Sequence, residues 1–131
     1  MKRLAVFCTL ALLATQTFAK NVTIDVITDA SNCPTAASAD QPCPGSSEDV
    51  CFKKGSPNFV TWKYQGSSQG KPDFQIVMKN SGHHSIFSNG CHQSSKKIKC
   101  EISQSAAAGS YGYNISSSSG CQMDPKIIIN N

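Results

Sequence analysis

His83, His84 and His92 fall within ten positions of one another, and Cys91 stands directly before the last of them. Imidazole is a common ligand of Zn(II) and Cu(II), and a thiolate would complete a donor set for either metal. A metal site on His83, His84 and His92 is therefore one reading of this segment. Two features oppose it. Neighbouring side chains on an extended chain point to opposite sides, and a cysteine in an oxidising compartment goes into a disulfide rather than onto a metal. Exposed loop histidines are the plainer reading, and no cofactor is expected.

Other reactive patterns are missing from the sequence. Neither H-E-x-x-H nor C-x-x-C occurs. Glu48 and Asp49 are adjacent carboxylates in a polar stretch, where solvation is the simplest fate. No glycine loop of phosphate-binding type is present. These absences lead to the expectation of a protein that is not an enzyme.

The elements that must position any site are set by a leader and six cysteines. Residues 1–19 read as a secretory signal: Lys2 and Arg3 give a positive start, Leu4 to Ala14 an apolar run, and Thr17-Phe18-Ala19 a small-residue cleavage site. The run is too short to span a membrane. Residues 20–131 then form a single domain holding Cys33, Cys43, Cys51, Cys91, Cys100 and Cys121. An even cysteine count behind such a leader is the mark of a disulfide framework. The expected location is periplasmic or secreted. The whole chain carries +4. Without Lys2 and Arg3 the value falls to +2, too little to indicate nucleic acid. The basic run Lys96-Lys97-x-Lys99 reads as a solvated strand edge that discourages aggregation.

Seven stretches have strand texture: Asn21–Ile27, Val50–Phe52, Phe59–Tyr64, Phe74–Met78, Lys97–Ile102, Tyr111–Ile115 and Lys126–Ile129. In several of these, polar residues alternate with β-branched or aromatic ones, and no stretch shows a helical period. Residues 29–50, containing Cys33 and Cys43, and residues 83–95 read as loops. The expected class is all-β, an antiparallel sandwich of about seven strands. Every aromatic after the leader lies between Phe52 and Tyr113, so the core is expected there, with Trp62 between Phe74 and Tyr113.

The order of these segments resembles the cupredoxin family. Phe52-Lys53-Lys54-Gly55 followed by Phe59-Val60-Thr61-Trp62 is similar to its strand, turn and strand. Pro72-Asp73-Phe74-Gln75-Ile76-Val77 is similar to its Pro-His and following strand. Gly109 through Ile129 resembles its final hairpin. The likeness covers residues 50–130 and implies a Greek-key scaffold. Type 1 copper needs a thiolate, two imidazoles and usually a thioether. At the corresponding positions this chain has Asp73, Ile115, Cys121 and Met123, of which only Met123 matches. The resemblance therefore implies the scaffold without its copper chemistry.

On such a scaffold Cys33, Cys43, Cys51 and Cys121 would meet at one pole and pair among themselves, with Cys33–Cys43 and Cys51–Cys121 as one arrangement. Cys91 and Cys100 would bridge each other. Other connectivities stay open at this level. The expected role is non-catalytic binding of an unknown protein or cell-envelope component through loops at the cysteine-rich pole. Phe87, with His83 and His84 beside it, is the candidate anchor. Metal binding by the loop histidines is the alternative, and an enzyme of unknown type a further one.

Overall fold

A computed structural model describes residues 19–65 and 74–131. The proposed leader, apart from Ala19, and residues 66–73, which include Pro72 and Asp73, lie outside the described residues. The strands are β1 (Lys20–Thr28), β2 (Pro34–Ala39), β3 (Val50–Lys53), β4 (Asn58–Tyr64), β5 (Phe74–Met78), β6 (Phe87–Ser94), β7 (Lys97–Ile102), β8 (Gly109–Ser117), β9 (Gln122–Met123) and β10 (Lys126–Asn130). A short 3-10 helix, Ser81–Ile86, precedes β6. One sheet runs β2-β1-β4-β7-β6 and the other β3-β10-β8-β5, with β9 added beside β8.

The all-β expectation holds, but both sheets are mixed rather than antiparallel. β1 runs parallel to β4, with Ile24 beside Trp62, and β10 runs parallel to β3, with Ile128 beside Cys51. The structure also has ten strands among the described residues rather than seven. The three additional ones lack the usual texture. β2 is built from small residues, Pro-Thr-Ala-Ala-Ser-Ala, and β6 is almost wholly exposed and polar. β9 has two residues. Strand preference reflects packing on a half-buried surface, so strands held chiefly by backbone pairing to a neighbour show little of it.

Residues 29–50 are correspondingly not a structureless loop. Asp29 turns the chain by accepting bonds through Oδ1 from the backbone N–H groups of Ser31 (2.8 Å) and Cys33 (2.9 Å). β2 then runs back along β1, with Ala37 opposite Val26 and Ala39 opposite Ile24. Asp40 Oδ1 accepts from the Thr23 N–H at 2.9 Å, which fixes the end of the return. Residues 83–95 likewise become the end of the 3-10 helix and an edge strand, joined to β7 through Ser95 and Lys96. Lys96 sits at φ 64°, the left-handed conformation a tight reversal requires.

The core lies between the two sheets. Val22, Ile24 and Val26 of β1 and Val60 and Trp62 of β4 face Tyr113 and Ile115 of β8 and Ile127 and Ile129 of β10. Trp62 and Tyr113 are each 0 % exposed. Their rings meet edge to face at 5.4 Å, and Trp62 Nε1–H donates to Tyr113 Oη at 3.0 Å. This one contact ties the sheets both by packing and by a satisfied polar pair. Phe74 packs its ring near Tyr64, at 6.3 Å.

Candidate functional site

The cysteines define two ends of the molecule. Cys33–Cys121 joins the turn after β1 to the turn between β8 and β9, and so links the two sheets. Around it, Ser119 Oγ donates to Ser31 O at 3.2 Å and shares a 2.8 Å bond with Ser117 Oγ. Tyr64 Oη donates to Asn32 Oδ1 at 3.4 Å. Cys43–Cys51 closes a small loop at the other end of β1, where Lys20 Nζ donates to Cys51 O at 2.7 Å and Gln41 Nε2 to Asn21 O at 3.0 Å. The expected Cys33–Cys43 and Cys51–Cys121 pairs are thus replaced, and the four cysteines do not gather at one pole. The cause is β2. By running back along β1 it carries the chain from Cys33 at one end to Cys43 at the other. Cys91–Cys100 forms between directly opposed residues of β6 and β7.

The histidines are separated. His83 lies in the 3-10 helix, with its ring edge to face against Tyr111 at 4.9 Å and a ring nitrogen 3.5 Å from Asn80 Nδ2. Its Nδ1 is buried with no hydrogen-bond partner. His92 is exposed on the outer face of β6, opposite Lys99 of β7. The side chain of His84 lies outside what is described. Among the described residues no three His, Cys, Asp or Glu side chains come together to hold a metal. Cys91 offers no thiolate, since its sulfur is bonded to Cys100.

Nor do the positions implied by the cupredoxin resemblance fit a type 1 copper set. Ile115 is 0 % exposed in the core, Cys121 is bonded to Cys33, and Met123 packs against the core opposite Ile115. Asp73 is outside the described residues.

Phe87 is not the projecting loop aromatic that the sequence suggests. It opens β6 opposite Ile102 and packs half-buried against the core. The exposed large apolar side chains among the described residues are Ile27 and Val77, which stand singly on different sheets. Scattered residues of this kind do not form a docking patch.

A cleft of about 300 Å³ opens instead along one side of the sandwich, between β5 and β6, the last strands of the two sheets. Buried Phe74 and Ile98 and half-buried Ile76 form its apolar part, exposed Gln75 and Gln93 supply amides, and Cys91 completes the wall. Each amide can both donate and accept. Among the described residues each flanking strand is paired on one side only, so main-chain groups of both edges border the cleft. Sequence reading missed Gln93 because β6 lacks strand texture. The usable signal was the hairpin itself: a tight Ser95-Lys96 turn before Lys97–Ile102 requires a partner strand upstream.

Buried Tyr113 is no catalytic candidate. Burial pushes its hydroxyl well above the usual tyrosine range, and the hydrogen bond from Trp62 only partly opposes this. It stays neutral and accepts from the indole.

Together these features define a small all-β protein of two mixed sheets bearing three disulfides. No helix among the described residues is long and apolar enough to cross a membrane. In comparisons with known proteins, no family model matches the chain, and no curated protein sequence shows significant similarity to it.

Proposed function

We propose that the chain is a secreted or periplasmic, non-catalytic binding protein on a cupredoxin-like, Greek-key scaffold. Its contact surface comprises the turns around Cys33–Cys121 and the adjoining cleft between β5 and β6. The partner is a protein or a cell-envelope component. The observation that carries this reading is the cleft, an apolar floor with two exposed amides between two strand edges that are unpaired among the described residues. Such a groove suits an extended segment that adds main-chain bonds at an edge while placing side chains on Phe74, Ile76 and Ile98. Three disulfides support a compartment that is oxidising. Cys33–Cys121 and the bond from Tyr64 Oη to Asn32 Oδ1 hold the strand ending at Tyr64 and the hairpin β8–β9 at the same end, which supports the cupredoxin-like scaffold.

A photo-crosslinking amino acid placed at Gln93 tests the site in the source cells. A discrete adduct is expected from position 93 and not from Ser38, exposed on the far edge strand β2. Adducts from both positions, or from neither, would count against the cleft. Amino-terminal sequencing of the exported protein tests the location, with Lys20 expected as the first residue.

A further inference from the structure

The outer face of the first sheet carries a group of lysines that the linear sequence does not reveal and that has no ion-pair partner among the described residues. Lys97 and Lys99 project from β7, and Lys63 projects from β4 directly opposite Lys97. His92 of β6 stands directly opposite Lys99 on the other side. Directly opposed residues on neighbouring strands have Cα atoms about 4.5–5.5 Å apart, and alternate residues along a strand about 6.6–6.8 Å. The three ammonium groups are therefore rooted in one compact triangle.

Guarding a sheet edge does not explain them. β7 is flanked by β4 and β6, so its lysines sit in the interior of the sheet, while the edges belong to β2 and β6. Cross-strand like charges are unfavourable for folding, and the Lys63–Lys97 pair is such a case. Neither acid of this face closes an ion pair with these lysines: Asp25, beside Lys63 on β1, accepts from Gln65 Nε2 at 2.6 Å, and Glu101 accepts from Asn89 Nδ2 at 3.2 Å. Both carboxylates keep their charge at the border of the triangle, where the three ammonium groups outnumber them. The ion pair seen among the described residues, Lys79–Asp124, involves none of them.

We infer that this face binds a linear acidic polysaccharide, a polymer of carboxylate-bearing sugars. The choice follows from the side chains present. Folded protein partners are anchored through Trp, Tyr and Arg, and none of these projects from this face; the chain has no arginine after Arg3. Lysine is a mobile, hydrated point charge without the rigid fork that grips a single phosphate or carboxylate. Several such charges on a flat sheet suit repeated carboxylates along a flexible polymer. Half-buried Phe59 adds a flat ring at the lower border, with Lys99 Nζ 4.6 Å from its centroid. This surface is distinct from the cleft and does not depend on it.

Native-gel affinity electrophoresis of the full chain, disulfides intact, tests the inference with sodium polygalacturonate in the gel and neutral dextran as control. Retardation by polygalacturonate alone is expected, declining as NaCl screens the charges. The triple variant K63Q/K97Q/K99Q is expected to weaken binding by at least about tenfold. K53Q/K54Q/K126Q, which removes the same charge elsewhere, is expected to retain it. The first triple should melt no lower than the parent; should it not fold, Lys97→Glu alone is read on the same gel, with the same loss expected. Unchanged binding in the variant read, or equal loss in both triples, overturns the inference. So does tighter binding to duplex DNA, to phosphatidylglycerol vesicles or to a polyglutamate peptide than to polygalacturonate.

Discussion

Replacing Tyr113 with Phe removes one oxygen from the centre of the sandwich and leaves the shape almost unchanged. The partner of that oxygen is the Trp62 indole N–H, 3.0 Å away, and both residues are 0 % exposed. Without it the indole N–H is buried and unpaired, which costs about 1–3 kcal/mol. Trp62→Phe removes the donor instead, but also leaves a cavity, so it costs about as much or more. The double variant has no orphaned donor and should be less destabilised than the two single losses added, by about 0.5–3 kcal/mol. Urea unfolding of the oxidised protein measures all three. Trp62 is the only tryptophan in the chain, so fluorescence reports Tyr113→Phe directly, while circular dichroism serves the variants without it. A Tyr113→Phe protein within about 0.5 kcal/mol of the parent, or strict additivity, would show that the indole finds water or another partner, and the account of this contact would fail.

The same tyrosine predicts an alkaline limit. Its pKa is raised in the folded state, so its contribution is fully present below the unfolded value of about 10 and is lost as pH rises above it. The difference between the ultraviolet titrations of the parent and Tyr113→Phe should show that Tyr113 does not ionise until the protein unfolds; its ionisation in the folded protein would exclude its burial. Removing Cys33–Cys121, which closes 88 positions, should cost about 4–5 kcal/mol, against about 2–3 kcal/mol for Cys43–Cys51, which closes 8. Equal thermal losses for the paired Cys→Ala variants would remove the chain-entropy explanation. Phe87→Ala should destabilise by about 1–3 kcal/mol, as expected for a half-buried ring. An unchanged melting temperature would return Phe87 to the surface.

Strands with two different faces were legible in the sequence. β1, β4, β7 and β10 each place β-branched or aromatic residues inward on alternate positions, and the same rhythm marked Trp62 and Tyr113 as core. β2 and β6 were not legible, because Ala, Ser, Asn and Gln can line a strand without announcing it. That omission propagated. Missing β2 misplaced Cys43 and hence two of the three disulfides, and missing β6 hid Gln93 and the cleft. The lysine triangle shows the same limit from another side. Lys97 and Lys99 are visible as a local run, but Lys63 joins them only through strand register, which couples residues more than thirty positions apart.

The connectivity of Cys33 sets an order for oxidation. Its native partner lies 88 positions downstream, while Cys43 is its nearest neighbour along the chain. Short rings close at the least entropic cost, and the two shortest, of 8 and 9 positions, are both native: Cys43–Cys51 and Cys91–Cys100. Closing them withdraws every nearby competitor, so Cys33 and Cys121 are left to pair last, once the sheets have brought the two turns together.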